Sequence, residues 1–99
     1  MDNAEQFLMK CKEEVLKHNF IEATNKFRMA LNAHGDPACF FFGDIVRILV
    51  NNRKVTFEMD QLYTDIGITD EAKTQLQNLS DNTIISALKI YSNKNAIKT

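Results

Sequence analysis

The stretch "DPACFFFGDIVRILV", residues 36–50, decides the fold. Asp is a favoured helix N-cap and Pro suits the first helical turn, so Asp36 and Pro37 mark a helix start. The pattern predicts one helix over 37–51. On a helical projection of about 100° per residue, Asp36, Asp44, Arg47 and Asn51 share one narrow stripe, with Phe40 in its middle. Phe41, Phe42, Ile45, Val46, Ile48, Leu49 and Val50 cover almost everything else. A helix that is apolar nearly all round is buried on most sides. Crossing a bilayer takes about 20 apolar residues, and Asp44 and Arg47 interrupt this run. The stretch therefore reads as the central helix of a domain, not as a membrane span.

Two helices precede it. Over 3–18, Ala4, Phe7, Leu8, Cys11, Val15 and Leu16 fall on one face, leaving Lys10, Glu13, Glu14 and Lys17 for solvent. The break is expected at His18-Asn19, because Asn tolerates the left-handed conformation that ends helices. A second helix over 20–33 turns Phe20, Ala23, Phe27, Ala30 and Leu31 inward and stops at Gly35. Beyond the polar connection "NNRKV" (51–55), Thr56 can cap a fourth helix carrying Phe57, Leu62, Tyr63 and Ile66, ended by Gly67. Thr69 caps a fifth, about 70–79, with Ala72, Leu76 and Leu79 inward. Ser80 caps a sixth with Ile84, Ile85, Ala87, Leu88 and Tyr91. The tail "SNKNAIKT" has few apolar residues and is expected to fray. The expected architecture is all-α, with about six short helices in antiparallel hairpins around the central helix 37–51. It forms a single domain, 1–93, with a flexible tail, 94–99.

Bulk properties agree. One domain is the reading for 99 residues, with 44% hydrophobic and 25% charged residues in the ordinary globular range. A net charge of −1 exerts no global pull on nucleic acid or an anionic membrane. The N-terminus is acidic and amphipathic rather than a basic region followed by an apolar run, so no signal peptide is visible. Cys11 and Cys39 sit among apolar residues and read as reduced, buried thiols, which points to a cytoplasmic protein.

Residues 4–43, "AEQFLMKCKEEVLKHNFIEATNKFRMALNAHGDPACFFFG", carry a family pattern. Cys11 is a small residue midway along the first helix. Phe20 opens the second, and Ala23, Phe27 and Ala30 follow on it. The segment resembles a tetratricopeptide repeat, a pair of antiparallel helices in which small residues permit close approach and an aromatic fills the gap. Glu14 stands where that family has an aromatic, and its proline is displaced to Pro37. The resemblance implies a helical protein-interaction element.

A second segment, "LYTDIGITDEAKTQL" (62–76), is similar to a DNA-binding helix-turn-helix, with Gly67 at the turn and Thr69 capping the recognition helix. Its charge opposes that role. Glu58, Asp60, Asp65, Asp70 and Glu71 face a single base, Lys73, and phosphate contact dominates DNA affinity. Cys11, His18, His34 and Cys39 lack metal-ligand spacing, so neither metal nor cofactor is expected. His18 and His34 suit helix ends. There is no phosphate-binding glycine loop, and Ser80, Ser86 and Ser92 have no histidine near in sequence, so no catalytic residues are assigned.

The contact surface expected from sequence is Phe40 with Asp44 and Arg47 on the stripe of the central helix, joined by Arg53 and Lys54 just beyond it. Either the protein's own chain covers Phe40, or a partner does. The leading functional reading is a small non-catalytic interaction module: an adaptor, assembly factor or stoichiometric inhibitor, a class that includes phage and viral proteins. It would act on a protein partner or by self-association, as a homo-oligomer. The alternatives are a helix-turn-helix-like regulator, or a helical bundle binding a nucleotide or small molecule near Phe40–Phe42, Arg47, Arg53 and Lys54.

Overall fold

The computed structural model describes residues 3–33, 36–55 and 70–96, the side chains of 36–40, 72 and 95–96 excepted. The described residues are all-α. Five helices follow in order: α1 Asn3–Leu16, α2 Phe20–Ala33, α3 Asp36–Asn51, α4 Asp70–Gln77 and α5 Asp81–Ala96. The fourth helix expected over 56–66, the helix-turn-helix corner at Gly67 and the Thr69 cap lie outside the described residues.

The first hairpin is built from small residues. Ala4, Leu8, Cys11 and Val15 form the buried line of α1; Ala23, Thr24, Phe27, Ala30 and Leu31 form that of α2. Alanines and the Cys11 thiol let the two backbones approach, so these helices share the most extensive contact among the described helices. Thr24 is the polar member of the line, and its hydroxyl donates to the Phe20 carbonyl at 2.8 Å. Leu16, expected inward, is exposed. It falls about 100° past Val15, outside the 4–8–11–15 line. Glu14, expected in solvent, is half-buried and accepts from the Asn19 side chain at 2.9 Å.

The join between α1 and α2 takes three residues. His18 adopts φ 61°, its amide donates to the Val15 carbonyl at 3.0 Å, and the Asn19 amide donates to the Glu14 carbonyl at 2.9 Å. This is a Schellman end with His18, not the expected Asn19, in the left-handed position. Asn19 is needed elsewhere: its carbonyl accepts the Ala23 amide at 2.9 Å, which makes it the N-cap of α2.

On α3, Phe41, Phe42, Ile45, Val46, Ile48 and Leu49 are buried, while Asp44 and Arg47 are exposed. The helix is apolar nearly all round and is covered nearly all round. It packs on α1 and α5, and α5 also lies against α2. Aromatic rings tie these layers together. Phe27 meets Phe42 edge-on at 5.1 Å, and Phe41 meets Tyr91 edge-on at 5.1 Å. Such pairs add roughly 0.5–1.5 kcal/mol beyond area burial.

At the second short join, Ser80 caps α5 as expected: its hydroxyl oxygen accepts the Thr83 amide at 3.2 Å. The helix runs to Ala96, and the end of the expected flexible tail, 97–99, lies outside the described residues. Ser92 stands four residues beyond Leu88 and eight beyond Ile84 on one buried line, and its small side chain is itself buried.

Candidate functional site

Sequence reasoning placed a contact surface on the polar stripe of α3. The structure brings two of its members together. Arg47 Nη1 lies 3.6 Å from Asp44 Oδ1, three residues apart, with side chains 63% and 54% exposed. An ion pair this exposed contributes little to stability. The Phe40 side chain lies outside the described residues. Arg53 and Lys54 are exposed at the end of α3, where their backbone carries the structure. Arg53 has φ 58° and its amide donates to Val50 at 2.9 Å; the Lys54 amide donates to Leu49 at 2.8 Å. This is a second Schellman end, and cations there suit the negative end of the helix dipole.

Nearby, Cys11 is buried and Tyr91 half-buried. Burial pushes the Cys11 thiol up to about 12, against a smaller lowering by Lys12. The thiol therefore stays protonated at neutral pH and is a poor nucleophile. Tyr91 is also raised, first by burial, then by the charges of Asp44 and Cys11. Lys12 places Nζ 5.4 Å from the centre of the Phe41 ring, a cation–π contact that covers the outer edge of the aromatic layer. Among the described residues, no three His, Cys, Asp or Glu converge in a way that could hold a metal ion. No described helix is long and apolar enough to cross a membrane.

Two features escaped the sequence reading. The first is apolar exposure. Met9 (58%), Leu16 (74%), Ile21 (70%) and Met29 (44%) are the large hydrophobic residues exposed among those described, and all four lie on α1 and α2. Their spacing is visible in the sequence: Met9 and Leu16 are seven apart, Ile21 and Met29 eight, so each pair recurs within about 80° on its helix. Attention to the inward faces hid it. The second is Arg28. From α2 its guanidinium donates to the Gln77 carbonyl (3.1 Å), the Leu79 carbonyl (2.7 Å) and Asp81 Oδ1 (2.7 and 3.1 Å). One turn along, Asn32 Oδ1 accepts from Gln77 Nε2 at 2.6 Å. Arg28 thus neutralises the carbonyl end of α4 and ties it to the first turn of α5. No local pattern announces partners about 50 residues away.

Compared with known proteins, the chain matches no family model, no curated protein and no solved structure.

Proposed function

We propose that the protein is a small non-catalytic helical module that works by occupying the surface of a protein partner, as an adaptor, assembly factor or stoichiometric inhibitor. Its contact element is the α1–α2 hairpin, the segment that resembles a tetratricopeptide repeat. The observation that supports this reading is the segregation of exposed apolar bulk. Met9, Leu16, Ile21 and Met29 crowd onto the hairpin, while no described residue of α3, α4 or α5 exposes a large hydrophobic side chain to the same degree. Exposed apolar surface concentrated in this way marks interaction sites. The pair Leu16→Ser and Ile21→Ser tests it. Both side chains are more than two-thirds exposed, so the helical circular dichroism and melting temperature should stay unchanged. Tagged wild-type protein should retain a host protein from a lysate of the encoding organism, and the double variant should lose it at least tenfold. Equal retention by both proteins sinks the reading.

A further inference from the structure

Three sulfur atoms lie in the α1–α2 hairpin, on Met9, Cys11 and Met29. They stand in opposite surroundings. Cys11 has no exposed surface, and burial keeps it a thiol at neutral pH. Met9, on α1, and Met29, on α2, are both exposed. Oxidants attack cysteine as the thiolate and where they can reach it. Cys11 meets neither condition, so an oxidant that encounters the folded hairpin encounters its two thioethers.

We propose that Met9 and Met29 form a redox switch on the contact element: hydrogen peroxide converts them to sulfoxides, which releases the protein partner and leaves the fold intact. The inference rests on the reading of the hairpin as the contact element and names how that contact is regulated. In the step, sulfur attacks one peroxide oxygen and the O–O bond breaks. The second oxygen leaves as hydroxide and takes the proton of the first, forming water. Sulfur is oxidised to the sulfoxide and the peroxide is reduced. Position decides what the new oxygen does. A core methionine that became a sulfoxide would carry a polar group into the interior and disrupt it. Met9 and Met29 already face water in the free chain, so their sulfoxides stay hydrated and the fold is spared. Against a partner, the same oxygen must lose its water, and an apolar contact gives no hydrogen bond in return. Exposure also makes the change reversible, because the two methionine sulfoxide reductases, one for each epimer, can reach both sites.

Retention of the host protein by the tagged full chain, before and after hydrogen peroxide, tests this. Peptide mass spectrometry should find one added oxygen on Met9, one on Met29 and none on Cys11, with circular dichroism and melting temperature unchanged. Retention should fall at least tenfold, and treatment with both reductases and dithiothreitol should restore it. Leucine matches methionine closely in volume and has no sulfur to oxidise. Met9→Leu combined with Met29→Leu should therefore retain the host protein as the wild type does, and keep it through peroxide. Oxidised wild type that still retains its partner overturns the switch. So does oxidised protein that has lost its helical signal, since release is then damage. Release from the double leucine variant overturns it as well, because the sensitive group then lies elsewhere in the chain. Retention indifferent to Leu16→Ser and Ile21→Ser sinks the reading of the hairpin, and the switch with it. Retention that needs both residues yet survives oxidation sinks the switch alone.

Discussion

The α1–α2 and α4–α5 joins are both three residues long, 17–19 and 78–80, yet they hold their helices by opposite chemistry. At the first, His18 turns left-handed and sends the chain back on itself, so α2 lies along α1 and the pair is glued by Ala4, Cys11, Ala23 and Ala30. At the second, no residue is left-handed. The last turn of α4 instead tightens through Asn78 to Gln75 and Leu79 to Leu76 bonds of 3.2 Å, and both helices make their main contacts with earlier elements. A guanidinium from α2 supplies the glue. Equal link length therefore does not dictate equal geometry. The backbone sign at one residue decides whether two helices must satisfy each other or a third element must satisfy both.

Four measurements can break or sharpen this contrast. Phe27→Ala removes the ring that meets Phe41 and Phe42; we expect a loss of about 3–5 kcal/mol in denaturant unfolding. A loss under about 1 kcal/mol would mean that the hairpin core is not what holds the domain. Alkaline pH should act on the same region. The unfolded Cys11 thiol ionises near 9.0, the buried one only near about 12, so the folded state holds the extra proton in between. Stability attributable to this thiol is then complete below about 9 and falls as pH rises toward 12. Cys11→Ala should flatten that part of the profile, and an unchanged slope would assign it to Tyr91 instead, whose shift has the same sign.

Arg28→Met keeps the aliphatic stem and deletes the guanidinium. With that group partly exposed, a loss of about 1–2 kcal/mol is expected. Hydrogen exchange should quicken at 70–81 while α1 amides keep their protection. Uniform quickening would show that the two regions are one cooperative unit. The smallest effect should come from His18→Gly, which relieves a side chain held at φ 61° and should raise stability by up to about 1 kcal/mol. Arg53→Gly, at φ 58°, is its internal control.

Local physics was legible in the residues. The 4–8–11–15 line, the Ala23–Phe27–Ala30 face and the all-round apolarity of 41–50 are periodic signals, and the helices that carry them form where they point. The Ser80 cap is likewise a short-range hydrogen bond. Features that depend on distant partners were not legible. Arg28 reaches Asp81 across 53 positions, and nothing beside either residue marks the other. Ser92 reads as a polar tail residue until α5 is seen to bury it. The site divides in the same way. Asp44, Arg47, Arg53 and Lys54 stand exposed as their stripe and position imply. The apolar exposure lies on the first hairpin instead, because a periodicity search rewards what faces inward and passes over what is left outside.

The position of α5 in the chain has a consequence for synthesis. α3 ends at Asn51 and α5 at Ala96, 45 residues later. At about 5–20 residues per second, a ribosome needs roughly 2–9 s to cover that interval. Throughout it, Phe41, Phe42, Ile45 and Val46 are made but lack the helix that packs across them. The contact between α1 and α2 forms between sequence neighbours and has no such wait, although the far side of α2 also awaits α5. The nascent chain thus carries its longest apolar helix through a window of seconds without its final cover. The burden on the cell's holding chaperones is set by the order of the helices, independently of how stable the finished domain is.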